Sequence, residues 1–515
     1  MQFDLLHIGT LVFLAHLLGV IAACHAVLNT RTSQGAIAWA VSLVAMPYFT
    51  LIPYLFLGRS KFAGYVDARR FENELLRTRA QPPEWDTQAS SHDRPAQELG
   101  HPFVRSLTRL GGMPFLAGNS VRTLVNGEAT FAAILEAIEN ARSYVIVQFF
   151  IVRADALGEL FKDALIAKAA QGVRAYVLYD SIGSFDLPHR YVAEMRSGGV
   201  EMHAFATNRK FVNRFQINFR NHRKIVVVDG ECAFVGGHNI GVEYLGAKPP
   251  LSPWRDTHIE VRGPAVASIQ FVFTEDWYWA TQQLPPLEPP PRARAVASAV
   301  MPAVASASTA TATAPVMPAV ARPNAPSSEG AAGDMHCLVI PMGPADKQES
   351  CSLFFVEAIT AARERVWITT PYLVPDEAVF SALRLAALRG VDVRILIPSR
   401  RDHIVVFEAS KLYAYDSIRA GVRIFRYRPG FLHQKVVLID DVAAAVGSAN
   451  LDNRSFRLNF EIMVLTVDRG FAAEVEAMLL RDFAESYEID RSEYRKAPAW
   501  RRVAMHLARL FAPIL

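Results

Sequence analysis

The strongest constraint on how this chain can fold is a motif that occurs twice. Residues 221–244 read NHRKIVVVDGECAFVGGHNIGVEY, and residues 432–450 read LHQKVVLIDDVAAAVGSAN. Each copy sets a histidine and a lysine two residues apart, His222 with Lys224 and His433 with Lys435. Alternate residues of a strand share a face, so each pair is expected to project together. An aspartate follows each lysine across four apolar residues: Asp229 after 225–228, Asp440 after 436–439. Gly236 and Asn239 then close the first copy, as Gly447 and Asn450 close the second. The fold must hold two strand–turn–strand units, each carrying the same reactive groups.

The duplication extends beyond the motif. EAIENAR at 136–142 precedes an apolar run at 144–152, as EAITAAR at 357–363 precedes 366–370. AAQGV at 169–173 and AALRGV at 386–391 each feed a strand, 173–179 and 393–397. SGGV at 197–200 is matched by RAGV at 419–422. Helical spacing at 131–141 and 160–171 alternates with these strands, which indicates an α/β class with largely buried sheets. Matching positions lie 211 to 222 residues apart, too far for a solenoid. The reading is two homologous α/β domains, 107–283 and 334–497, with a Pro/Ala/Ser/Thr-rich linker at 284–333 that cannot bury a core.

Two apolar runs, 5–28 and 37–57, each approach the roughly 20 residues a membrane-crossing helix needs. Residues 1–60 are therefore expected as a two-helix transmembrane hairpin, the second helix kinked by Pro47 and Pro53. Arg59, Lys61, Arg69 and Arg70 follow it, which favours a cytoplasmic side for the catalytic body. Residues 61–106 read as a juxtamembrane connector. At the other end, 498–515 form a basic amphipathic helix, with Val503, Leu507, Leu510 and Phe511 on one face and Arg501, Arg502 and Arg509 on the other. It suits an anionic lipid surface or docking on the protein's own body. Fifty-four Lys+Arg against 50 Asp+Glu argues against a nucleic-acid partner. Four scattered cysteines (Cys24, Cys232, Cys337, Cys351) suggest neither disulfides nor a zinc site, and no metal or other cofactor is expected.

The repeated residues suit phosphoryl chemistry. One histidine can attack phosphorus while the other protonates the leaving alkoxide and later deprotonates the incoming hydroxyl. Two lysines can hold the non-bridging oxygens as charge builds in the transition state. Asn239 and Asn450 can donate further hydrogen bonds there, and Gly236 and Gly447 let backbone approach closely. Glu243 and Glu461, beyond the asparagines, are candidates to orient the imidazoles. Asp229 and Asp440 differ in strand parity from the His/Lys pairs, which suits bracing the fold and no proton-transfer role.

The doubled pattern HxKxxxxDxxxxxxG(G/S)xN resembles the phospholipase D superfamily, and more closely its bacterial cardiolipin synthases. RTSQGAIAW (31–39), WRDTHIEVRGPAV (254–266), TTPYLVPD (369–376), GSANLDNRSFRLNFE (447–461) and LFAPIL (510–515) carry the closer likeness. It covers nearly the whole chain except 284–333. One departure is Gly237 where the second copy has Ser448, read as the loss of one phosphate contact. The resemblance implies two phospholipase D-like domains packed around one shared site, with His222, Lys224, Asp229, His433, Lys435 and Asp440 as its catalytic set. It implies phosphatidyl transfer between two phosphatidylglycerol molecules, giving cardiolipin and glycerol, with His222 as nucleophile and His433 as acid/base. The alternative within the superfamily is a different donor or acceptor, such as phosphatidylethanolamine or water. The bacterial cytoplasmic membrane is the implied location, with the hairpin as a multi-pass anchor.

Overall fold

In a computed structural model, the structure describes residues 2–30, 33–58, 93–205, 218–247, 249–287, 333–346 and 348–514. Most of the anticipated linker, the basic residues after the second apolar run and the first part of the connector lie outside the described residues.

One mixed sheet of 16 strands runs through both halves. From one edge, the first half contributes Glu201–Phe205, Arg174–Asp180, Tyr144–Phe149, Ile225–Val228, Cys232–Gly236, Thr257–Arg262 and Leu116–Val125. The second half repeats the series in reverse: Met335–Met342, Asn459–Val467, Ala443–Gly447, Val436–Ile439, Arg365–Thr369, Asp392–Pro398 and Arg423–Tyr427. The two meet where Leu116–Val125 pairs antiparallel with Met335–Met342, Leu116 opposite Cys337. The duplication in sequence is thus a pseudo-twofold in space. Central strands such as Ile225–Val228 and Asn459–Val467 are buried at every position, because helices cover both faces.

Three expectations need correction. The His/Lys pairs do not lie within strands: residues 222–224 and 433–435 are extended segments leading into Ile225–Val228 and Val436–Ile439. The second apolar run is not one helix but two, Ser33–Ala45 and Pro47–Leu57. Pro47 has no N–H to offer the Leu43 carbonyl, so the helical ladder breaks at Met46. At 13 and 11 residues neither piece alone spans a bilayer core, whereas Gly9–Asn29 is long and apolar enough to do so. The connector is not wholly connector either. Helix His101–Gly111 buries Phe103, Val104 and Leu107 in the main core, and Ser106 Oγ donates to Glu357 Oε1 at 2.7 Å.

Candidate active site

Each His/Lys segment leaves its own half and pairs with the other. Arg220–Asn221 runs parallel to the start of Asn459–Val467, and the His222 N–H donates to the Phe460 carbonyl at 2.9 Å. Phe431–Leu432 runs parallel to Trp254–Arg255, and the His433 N–H donates to the Arg255 carbonyl at 2.8 Å. The residue after each of those carbonyls is acidic, and it meets the histidine just docked. His222 Nδ1 lies 2.9 Å from Glu461 Oε2, and His433 Nδ1 lies 2.7 Å from Asp256 Oδ2. Glu461 and Asp256 hold equivalent places, one residue before the carbonyl that accepts from Ser448 N–H and Gly237 N–H respectively. The halves therefore exchange carboxylates: each orients the histidine of the other.

Glu461 thus lies where it can hold an imidazole, whereas Glu243 does not. Its carboxylate accepts from Arg153 Nε at 3.2 Å and touches neither histidine. Asp256 was inside the recognised segment at 254–266 yet unassigned. A signal did exist: Glu461 lies 11 residues past Asn450, whereas Glu243 lies only four past Asn239. Asp256 lies 17 past Asn239, so a connection six residues longer hid the equivalence.

The Gly237/Ser448 departure also has a different meaning. Ser448 Oγ donates to Glu461 Oε2 at 2.6 Å, so it steadies a carboxylate. A Cβ on Gly237 would sit 2.0 Å from Asp256 Oδ1, so glycine makes room for the equivalent carboxylate. Gly236 and Gly447 likewise serve close approach between neighbouring strands, since a Cβ on either would strike the backbone of 257–258 or of 462–463 within 2.8 Å.

Asp229 and Asp440 sit at the strand ends with positive φ, 54° and 49°. Asp229 accepts from the N–H groups of Arg142, Ser143 and Tyr144, at 2.8, 2.8 and 2.9 Å. Asp440 accepts from Arg363, Glu364 and Arg365 in the same way. Both carboxylates are spent on tying the start of one strand to the end of its neighbour, so neither faces the histidines. Asn239 is similarly engaged: Oδ1 accepts from Ile151 N–H and Nδ2 donates to the Tyr244 hydroxyl at 3.0 Å. Asn450 Nδ2 donates to Asp452 at 3.2 Å.

Burial sets the electrostatics. It pushes His222 down to about 4 against the pull of Glu461, and His433 down to about 3, with Lys435 adding to the effect. Each imidazole feels both lysines, which ties the two motifs into one electrostatic unit. Burial also lowers Lys224 well below its ordinary value and Lys435 to about 8. Against their own burial, Asp256 and Glu461 are held below the carboxylate range by Lys435 and His222 respectively, first among several neighbouring groups. An ionised carboxylate accepts only, so each takes the Nδ1 proton and leaves Nε2 with its lone pair. Lys435 Nζ also lies 2.8 Å from His433 Nδ1. With that nitrogen donating to Asp256, the lysine acts there by charge and its hydrogen bond goes to the His433 carbonyl. Phe150 stands edge-on to His222 and Trp254 flanks His433, both at 5.0 Å between ring centres.

Comparison with known proteins places the chain among its relatives. Residues 134–248 and 355–483 match the family described as "Cardiolipin synthase, PLD-like domain", and 17–59 match "Phospholipase_D-nuclease N-terminal". The chain is 56% identical to Cardiolipin synthase A of Pseudomonas aeruginosa over 509 residues, 99% of this chain and 96% of that one. It is 54% identical to Cardiolipin synthase A of Pseudomonas fluorescens over 500 residues, 97% of each. The crystal structure of phosphatidylserine synthase from Haemophilus influenzae shares the fold, with a TM-score of 0.57 at 16% identity over 81% of this chain and all of that one. The chain belongs to the cardiolipin synthase family of the phospholipase D superfamily.

Proposed function

We propose that the protein transfers a phosphatidyl group between two phosphatidylglycerol molecules in the membrane, giving cardiolipin and glycerol. In the first step His222 Nε2 attacks phosphorus, the bond to the glycerol headgroup oxygen breaks, and that oxygen takes a proton from His433. In the second, the terminal hydroxyl of another phosphatidylglycerol attacks phosphorus, the P–N bond breaks, and His433 takes the hydroxyl proton. Lys224 and Lys435 hold the non-bridging oxygens through both. A bound phosphodiester anion offsets their charge and raises the imidazoles, so His433 can carry the proton the first step requires. Glu461 and Asp256 keep each ring in the tautomer that presents Nε2. Asp229 and Asp440 act at one remove, by fixing the strands into which the His/Lys segments lead. The reading assigns the N-terminal helices to a multi-pass anchor in the bacterial cytoplasmic membrane, with the two phospholipase D-like domains on the cytoplasmic side.

The observation that carries this reading is the reciprocal exchange of Glu461 and Asp256, which gives two oriented histidines one common electrostatic site. Purified full-length enzyme with headgroup-labelled phosphatidylglycerol should yield cardiolipin and free glycerol without added metal. Phosphatidic acid as the only lipid product would reject the transfer. His222→Ala and His433→Ala should each abolish turnover, and full activity in either would reject a shared site.

A further inference from the structure

The C-terminal helix Ala499–Leu510 has two apolar faces, and among the described residues only one is covered. Met505 and Ala508 are buried, and Arg501 and Arg509 pair with Glu408 at 3.2 Å and Asp416 at 2.9 Å on helix Ile404–Arg419. At 100° per residue these four cluster on one side. Trp500, Val503, Leu507, Leu510 and Phe511 fall within a roughly 100° arc on the opposite side. All five are between 53% and 74% exposed, so they form a continuous apolar stripe and not scattered surface residues. Exposed Arg502 lies on the same helix, exposed Arg495 and Lys496 precede it, and no acidic residue occurs from 494 to 515.

The two ion pairs also fix direction. Their offsets are identical, 93 residues each, so the helix runs parallel to Ile404–Arg419. Its Trp500 end therefore stands at the Ile404 end of that helix, where Ile404 and Val405 are themselves exposed. That end adjoins the site. Asp402 accepts from the Tyr372 hydroxyl, and Leu373–Val374, next to that tyrosine, pairs parallel with Leu451–Asp452, directly after Asn450.

We infer that this stripe, continued by Ile404 and Val405, beds in an anionic bilayer surface and turns the mouth of the site toward the lipid. The occupant follows from the chemistry. Apolar side chains enter the boundary between headgroups and acyl chains, Trp500 sits at that boundary, and Arg495, Lys496 and Arg502 meet the lipid phosphates. Helix Gly9–Asn29 is long and apolar enough to cross a membrane, and the proposed anchor keeps the chain beside one. The inference rests on the proposed transfer only in supplying a reason for the site to face lipid.

The test uses full-length protein in vesicles of phosphatidylcholine and phosphatidylglycerol carrying quenchers on the acyl chains. In a Cys24→Ala background, an environment-sensitive fluorophore is placed through Val503→Cys, Leu507→Cys or, as control, Glu201→Cys on the exposed edge strand. Quenching at 503 and 507 should exceed that at 201 by at least threefold. Equal quenching, or disulfide-linked dimers of the unlabelled Leu507→Cys protein, overturns the inference, the latter by assigning the face to a second copy. No turnover is needed, so this result is independent of which lipid is the substrate. In a second arm, Val503→Asp/Leu507→Asp should lower activity on bilayer phosphatidylglycerol at least tenfold and leave that on monomeric short-chain phosphatidylglycerol within twofold. Loss of both alike, or of neither, also overturns it.

Discussion

Replacing Asp256 by asparagine alters charge and proton inventory while keeping shape. The carboxylate accepts from the Thr257 N–H at 2.8 Å through Oδ1 and faces His433 Nδ1 at 2.7 Å through Oδ2. In Asp256→Asn the amide oxygen keeps the Thr257 contact, so the NH2 group faces Nδ1 and donates to it. The neutral imidazole must then carry its proton on Nε2, where the second step of the proposed reaction needs a free lone pair to take the hydroxyl proton. Among carboxylate–histidine pairs that fix a tautomer, the serine-protease Asp→Asn change costs about 10⁴ in kcat. Here a second loss adds to it. Asp256 is the first neighbour that raises Lys435, already depressed to about 8, so without it the lysine is less charged at neutral pH. A fall of at least ~10³ in rate is expected, or about 4 kcal/mol of transition-state stabilisation. The assay is the initial rate of cardiolipin formation from labelled phosphatidylglycerol in mixed micelles, with thermal unfolding as a check of structure. Glu243→Gln, which only weakens a part-buried Arg153 contact that touches neither histidine, should stay within about fivefold of wild type, since such a pair contributes about 1 kcal/mol or less. Folded Asp256→Asn that keeps more than a tenth of the rate, or Glu243→Gln that loses as much, would refute the exchanged-carboxylate argument.

Further outcomes follow from the same geometry. Gly237→Ser, which restores the residue type of the second copy, should lower activity by roughly 10² or more, because its Cβ displaces Asp256 and a misplaced catalytic geometry is costly; unchanged kcat would reject the steric account. Lys435 has a lowered pKa of about 8, so its cation is present below that pH and lost above it. The kcat/KM profile of the enzyme should therefore fall on the alkaline side near pH 8, and a plateau to pH 10 would contradict this. Both histidines are depressed, to about 4 and about 3, so they stay neutral in the free enzyme down to that range, and no acid limb should appear near pH 6.5. Asp440→Asn should lower stability by about 1–3 kcal/mol, since one amide oxygen replaces two carboxylate oxygens serving three N–H donors. Guanidinium unfolding measures it, and an unchanged midpoint would reject the bracing role.

Much of this molecule was legible in one dimension. The two His/Lys/Asp units, the α/β alternation and the duplication of the halves all follow from local patterns: strand periodicity, apolar runs and a repeated order of residues. Those signals are local, so they survive without coordinates. Glu461 could be picked out because it lies beyond Asn450, the same positional reason that also picked Glu243 beyond Asn239. Asp256 could not, since its equivalence depends on which backbone carbonyl the His433 segment meets across the interface. The same holds for Gly237, whose missing side chain is a space only when Asp256 is seen to occupy it. The C-terminal helix was open between lipid and protein because hydrophobic spacing cannot count faces. Packing on Ile404–Arg419 leaves the second face bare. Sequence alone therefore determined the reactive groups and their doubling. Tertiary structure decided who orients whom, because carboxylate-to-imidazole contacts cross between halves whose separation along the chain carries no information about their registry in space.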